Sequence, residues 1–67
     1  MKKIDFEQCS KAAKSYGAYF VDEDYAAFTG HVTAVNYATW LASTFGVIVQ
    51  MWFKDIWSVR IDPESLC

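Results

Sequence analysis

Hydrophobic positions near the start of the chain recur with the period of a helix. Between residues 6 and 16 an apolar side chain appears at every third or fourth position, which predicts one amphipathic helix. Asp5 just before this segment is a typical N-cap, with Gln8 placed to complete a capping box, and Gly17 is a typical C-terminal stop. The predicted apolar stripe consists of Phe6, Cys9, Ala12, Ala13 and Tyr16.

A second helical period is found between residues 23 and 45. The acidic run 22–24 would supply the N-cap and first turn, where carboxylates meet free backbone N–H groups, and Gly46 would end the helix. Gly30 lies inside this segment and costs a helix about 1 kcal/mol relative to Ala. Because Thr33 could act as a new N-cap, a helix broken near Gly30 is the alternative. The apolar positions are Tyr25, Phe28, Val32, Val35, Ala38, Leu41 or Ala42, and Phe45.

The C-terminal part is rich in β-branched and aromatic residues and predicts an antiparallel hairpin of strands 47–53 and 57–62. Residues directly opposite on paired strands share a face, so the loop length decides which side chains lie together. A two-residue loop mixes polar and apolar side chains on both faces, whereas a three-residue loop at 54–56 gives one fully apolar face. We therefore expect the three-residue loop, with Val49 opposite Ile61, Met51 opposite Val59 and Phe53 opposite Trp57.

These elements predict an α+β fold in one domain, residues 1–67, with both helices packed on the hairpin. The short apolar segment 18–21 could add a further strand at a sheet edge. A chain of this length buries only about 60% of its unfolded surface, so it gains from self-association. Aromatic residues make up 18% of the chain, and we expect most of them in the core or in a dimer interface.

Charge and cysteine content exclude several classes of function. The formal net charge is −2 with a pI near 5.0, and the six basic residues are scattered, so we do not expect nucleic-acid binding. Cys9 and Cys67 form no metal-ligand pattern and no disulfide framework, and whether they are ever oxidised is left open by their spacing. The start of the chain lacks the apolar segment of a secretory signal, which favours a cytoplasmic protein.

No group of residues indicates catalysis, a cofactor or a metal ion. His31 is the single histidine, and a catalytic or metal-binding histidine needs further groups that the sequence does not supply. We expect it to lie in a helix turn, hydrogen-bonded to backbone. The sequence contains no phosphate-binding loop, paired-cysteine zinc motif or nucleophile elbow, so we do not expect an enzyme.

The second face of the hairpin is the candidate binding surface. Large apolar groups lie there beside polar ones, and Trp and Arg are residue types enriched at binding hot spots. Tyr37 and Trp40, on the polar side of the second helix, are candidates for a dimer interface or second surface. The predicted partner-binding residues are Ile48, Gln50, Trp52, Ser58 and Arg60.

We interpret the chain as a small acidic module that binds another protein and forms a homodimer. By analogy with small acidic accessory proteins of phages and plasmids, it could inhibit a host protein. The alternative is a membrane-associated protein, because residues 32–53 carry no charge over a length that could cross a bilayer. Six polar residues interrupt that segment and the mean hydropathy of the chain is only +0.07, so membrane association is not the expected outcome.

Overall fold

The computed structural model describes residues 4–22 and 25–66 and has the predicted α+β architecture. Two helices pack on one face of a four-stranded antiparallel sheet whose strand order is β1-β2-β4-β3. The elements, in chain order, are α1 (Phe6–Ser15), β1 (Phe20–Val21), β2 (Ala26–Phe28), α2 (His31–Phe45), β3 (Val49–Lys54), β4 (Ile56–Ile61) and a 3-10 turn at Pro63–Leu66.

Helix α1 begins at the predicted residue and ends one residue earlier than predicted. The Asp5 carboxylate accepts hydrogen bonds from the backbone N–H groups of Glu7 and Gln8, which have no partner within the helix. At the other end Gly17 has a φ of 95°, a conformation that glycine adopts without strain. The Ala18 N–H donates to the Ala13 carbonyl, which completes a Schellman motif.

The second helix begins at His31, so the continuous helix over 23–45 is wrong and the alternative of a break at Gly30 is the observed one. Gly30 has an extended backbone and is itself the N-cap, whereas the Thr33 hydroxyl donates to the Gly30 carbonyl. The residues before it form β2, which pairs with both β1 and β4. Because β2 lies between two strands, its backbone N–H and C=O groups find hydrogen-bond partners on both sides.

The acidic run 22–24 therefore does not form the first turn of a helix. The Asp22 N–H donates to the Tyr25 carbonyl at 2.8 Å, which closes the connection between β1 and β2. Glu23 and Asp24 lie outside the described residues. Strand β1 confirms the extra strand expected within 18–21, and it lies at one edge of the sheet.

The hairpin has the predicted register. Its strands are shifted by one or two residues relative to the expected bounds, but Val49 faces Ile61, Met51 faces Val59 and Phe53 faces Trp57. The connection is shorter than the expected three-residue loop, because Lys54 and Ile56 pair with each other and only Asp55 lies between the strands. Asp55 has a φ of 67°, a backbone conformation that favours glycine. The turn thus uses an aspartate, one of the few residue types that enter this region readily.

The core lies between the helices and the apolar face of the sheet. Phe28, Leu41 and Val59 are fully buried there, and small alanines such as Ala13 and Ala34 let the helices approach the strands. Phe6, at the start of the predicted apolar stripe of α1, is instead more than half exposed.

Candidate interaction surface

The face of the sheet turned away from both helices is the candidate site, and we call it the outer face. Strand pairing assigns its members: Phe20 lies opposite Ala27, Ala27 opposite Ser58, and Ser58 opposite Trp52. Gln50 and Arg60 form the neighbouring pair on the same side, because alternate residues of a strand share a face. The outer face consists of Phe20, Tyr25, Ala27, Ile48, Gln50, Trp52, Lys54, Ile56, Ser58 and Arg60.

Three aromatic rings form a continuous row across this face. The ring centroids of Phe20 and Tyr25 are 6.1 Å apart, and those of Tyr25 and Trp52 are also 6.1 Å apart, both pairs tilted. Such tilted contacts are favoured by the charge distribution of aromatic rings. The row therefore links edge strand β1 to edge strand β3 across the two central strands.

Arg60 extends this row with a fixed positive charge. Its guanidinium carbon lies 5.8 Å from the centre of the Trp52 ring, within the range of a cation–π interaction. Its Nε donates to the Gln50 side-chain oxygen at 2.7 Å. These two contacts hold the guanidinium beside the aromatic row, and within the described part of the chain its remaining N–H groups are available as donors for a ligand.

Not all of the predicted binding residues are accessible. Ser58 is only 5% exposed, because it is small and lies among longer aromatic side chains, and Ala27 beside it is also buried. Trp52 is 39% exposed and Ile48 is largely exposed. The register thus brings Gln50, Trp52 and Arg60 together as expected, while Ser58 forms the floor between the rings.

Tyr37 and Trp40 do not form a second surface together. Tyr37 is 4% exposed, and its hydroxyl donates to the Cys9 carbonyl at 3.2 Å, which joins α2 to α1. Burial and the nearby Cys9 raise the pKa of the Tyr37 hydroxyl far above its usual value. Trp40 is half-buried and stacks on Tyr37, with Phe45 at its edge.

His31 lies at the start of α2 and packs on an aromatic ring. Its ring centroid is 4.6 Å from that of Trp57, and the ring centroid of Phe53 is 5.0 Å from the same indole. This three-ring cluster covers one end of the core. It gives His31 a packing role in place of the expected backbone hydrogen bond.

A cleft of about 230 Å³ lies between the two helices and the sheet, with Phe6, Cys9, Leu41 and Ile61 among its lining residues. Burial, and to a smaller extent the Asp5 carboxylate, raise the pKa of the Cys9 thiol, which makes the sulfur less reactive. The volume is below that of common ligand pockets, about 300–1,000 Å³. The outer face remains the stronger candidate.

The sequence prediction missed Phe20 and Tyr25 as members of the surface. Their membership follows from the strand order, since β2 inserts beside β4 and carries β1 with it. A single alternating strand over residues 20–28 would place Phe20 and Ala27 on opposite faces, and it is their antiparallel pairing that puts both on the outer face. The small and aromatic side chains of residues 20–28 fit a helix as well as a strand, so the hydrophobic pattern alone does not favour either structure.

In comparisons with protein-family models, curated proteins and solved structures, the chain matches none. Within residues 4–22 and 25–66, no helix combines the length and apolar character that crossing a bilayer requires. The uncharged segment 32–53 is divided between α2 and β3. The same described residues contain no cluster of three His, Cys, Asp or Glu that could hold a metal ion.

Proposed function

We propose that this protein is a small interaction module that binds another protein through its outer face. The observation that carries the proposal is the row Phe20–Tyr25–Trp52 with Arg60 held against it, on the side of the sheet that the helices leave free. Aromatic rings offer large contact areas at low entropic cost, and arginine adds directional donors. These are the residue types that dominate binding energy at protein interfaces.

The surface also has the layout of an interface centre with a polar rim. Rings surround a floor of Ala27 and Ser58, which are buried already in the free chain, and Gln50 and Arg60 lie at the side. A ligand with an apolar group for the rings and an acceptor for the guanidinium would satisfy both parts. We infer a partner segment that combines an apolar or aromatic side chain with a carboxylate or carbonyl group.

Within this proposal, the protein acts as a homodimer in the cytoplasm and inhibits the host protein that it binds, as phage and plasmid accessory proteins of this size do. The small size and the net charge of −2 support that form of the proposal. The buried free thiol of Cys9 suits a reducing compartment.

The test uses the protein as bait for proteins of its native host, with a double variant and a matched control. Trp52→Ala combined with Arg60→Ala should abolish retention of any partner that wild type retains, because it removes the centre of the row and its charge. Tyr19→Ala removes an aromatic side chain that is 75% exposed but lies off the outer face, and it should retain the partner. Equal retention by wild type and the double variant would refute the outer face as the binding site.

A further inference from the structure

The free edge of β3 has the features of a strand that pairs with another strand. Among residues 4–22 and 25–66 it is the last strand of the sheet and pairs on one side only, with β4. Natural proteins protect such edges by short strands, proline or inward charges. The opposite edge strand β1 has two residues, whereas β3 has six, with no proline and no charge before Lys54.

The hydrogen bonds of the hairpin identify the backbone groups that this edge offers. The Asp62 N–H donates to the Ile48 carbonyl at 2.8 Å, so residue 48 directs its backbone groups toward β4. In an antiparallel ladder the direction alternates with every residue. The N–H and C=O groups of Val49, Met51 and Phe53 therefore point away from β4 toward the free edge.

We propose that this edge pairs with the β3 edge of a second copy of the chain, antiparallel about a two-fold axis at Met51. This inference deepens the self-association within the proposed function, and it does not depend on what the outer face binds. Residues 48–54 form one extended segment against β4, and Met51 is its midpoint. Centring there aligns all three residues with free backbone groups and gives six hydrogen bonds between the copies.

Side chains match in this register. On the core side Val49 lies opposite Phe53 of the second copy, which covers a ring that is 60% exposed in the single chain. On the outer side Gln50 lies opposite Trp52 of the second copy, so the two outer faces become one continuous surface. Two-fold pairing thus forms an eight-stranded sheet with a doubled aromatic row.

Charges at the ends of the edge favour the antiparallel arrangement. Lys54 is at the C-terminal end of β3, next to Asp55 in the turn, whereas Asp62 and Glu64 lie near the N-terminal end beside Ile48. The two-fold axis brings Lys54 of each copy to the end that carries Asp62 and Glu64 of the other. A parallel arrangement would instead bring like ends together.

The first test compares Phe53→Pro with Phe53→Thr by sizing at micromolar concentrations. Both variants lose the ring, but only proline loses the N–H that points to the free edge, and that N–H is not part of the β4 ladder. Two hydrogen bonds are lost per dimer, so proline should raise the dimer dissociation constant about tenfold or more relative to threonine. Thermal unfolding of dilute samples checks that both variants fold.

The second test does not need proline and uses cross-linking in a Cys67→Ser background. Met51→Cys places two thiols on the axis, about 5.5 Å apart between Cα atoms, which permits a disulfide. Phe53→Cys, the control, places them about 13 Å apart, too far for a disulfide. We expect covalent dimer under mild oxidation from Met51→Cys and little from Phe53→Cys.

The outcomes separate the edge from the outer face. A dimer that Phe53→Pro leaves as stable as Phe53→Thr, with no cross-link at position 51, would overturn edge pairing but not self-association. A wild-type chain that stays monomeric would overturn both and leave the edge open to other extended segments. Loss of partner binding in Trp52→Ala with Arg60→Ala, without a change in size, would concern the outer face alone.

Discussion

At the scale of single residues, the turn of the hairpin depends on one aspartate. Asp55 adopts a φ of 67°, which costs most L-residues about 1–2 kcal/mol and aspartate less. Its neighbours Lys54 and Ile56 pair with each other across the hairpin, so Asp55 is the one residue between the two strands.

We predict that Asp55→Gly raises the free energy of unfolding by about 0.5 kcal/mol, because glycine adopts this conformation without strain. Asp55→Val should lower it by about 1 kcal/mol or more, since β-branched residues are strongly disfavoured there. Urea unfolding of dilute protein measures both changes. A lower stability of Asp55→Gly would show that the carboxylate makes contacts that outweigh the backbone strain.

At the scale of elements, the sequence predicts a helix or strand correctly where its hydrophobic pattern or a local signal fits one structure only. The hairpin register could be predicted because only one parity puts Met51, Val59 and their neighbours on one apolar face. The start of α1 could be predicted because Asp5 is a local signal. Both predictions rest on interactions between residues that are close in sequence.

Residues 23–30 could not be assigned in the same way. Tyr25 and Phe28 fit a helical period together with Val32, and alanines have low strand propensity. The segment is a strand because Phe28 fills the core and its backbone pairs on both sides, which is tertiary information. For the same reason the sequence did not predict Phe20 and Tyr25 as part of the candidate surface, since they reach the outer face only through that pairing.

The contact between the two helices predicts a loss of stability at alkaline pH. The pKa values of Cys9 and Tyr37 are raised in the fold from ordinary values of 9.0 and 10.0. Above those values the unfolded chain releases protons that the folded chain keeps, so the unfolded state binds fewer protons and stability falls as pH rises. Below about pH 9 the raised pKa values of both groups make their full contribution to the free energy of unfolding.

Tyr37→Phe should flatten the decline above pH 10, and it should cost about 1 kcal/mol at pH 7 because the hydrogen bond from the Tyr37 hydroxyl to the Cys9 carbonyl is lost. Tyr19→Phe, which changes an exposed ring, is the control. Urea unfolding between pH 7 and 11 measures both effects. An unchanged slope in Tyr37→Phe would contradict the assignment of the alkaline decline to this buried hydroxyl.

At the scale of the whole molecule, the chain is so small that association with a partner should measurably raise its free energy of unfolding. A 67-residue chain buries a limited fraction of its surface, and a partner that binds only the folded state stabilises it by mass action. The sheet edge and the outer face together offer the area for such a partner.

We predict that the melting temperature rises by about 4 °C for each tenfold increase in protein concentration while the dimer is the folded species. In Phe53→Pro the same rise should require about tenfold more protein than in Phe53→Thr, because both variants lose the ring and only proline loses the N–H at the free edge. Calorimetry or circular dichroism at several concentrations measures this. A melting temperature independent of concentration in wild type would indicate a chain that folds alone.

The distribution of the three indoles has a practical consequence. Trp40 and Trp57 lie on the side of the helices, while Trp52 alone is on the outer face. Replacing the first two by phenylalanine would leave a single fluorophore beneath the Arg60 guanidinium. Its emission maximum and its quenching by acrylamide would then report occupancy of that face directly, without any added label.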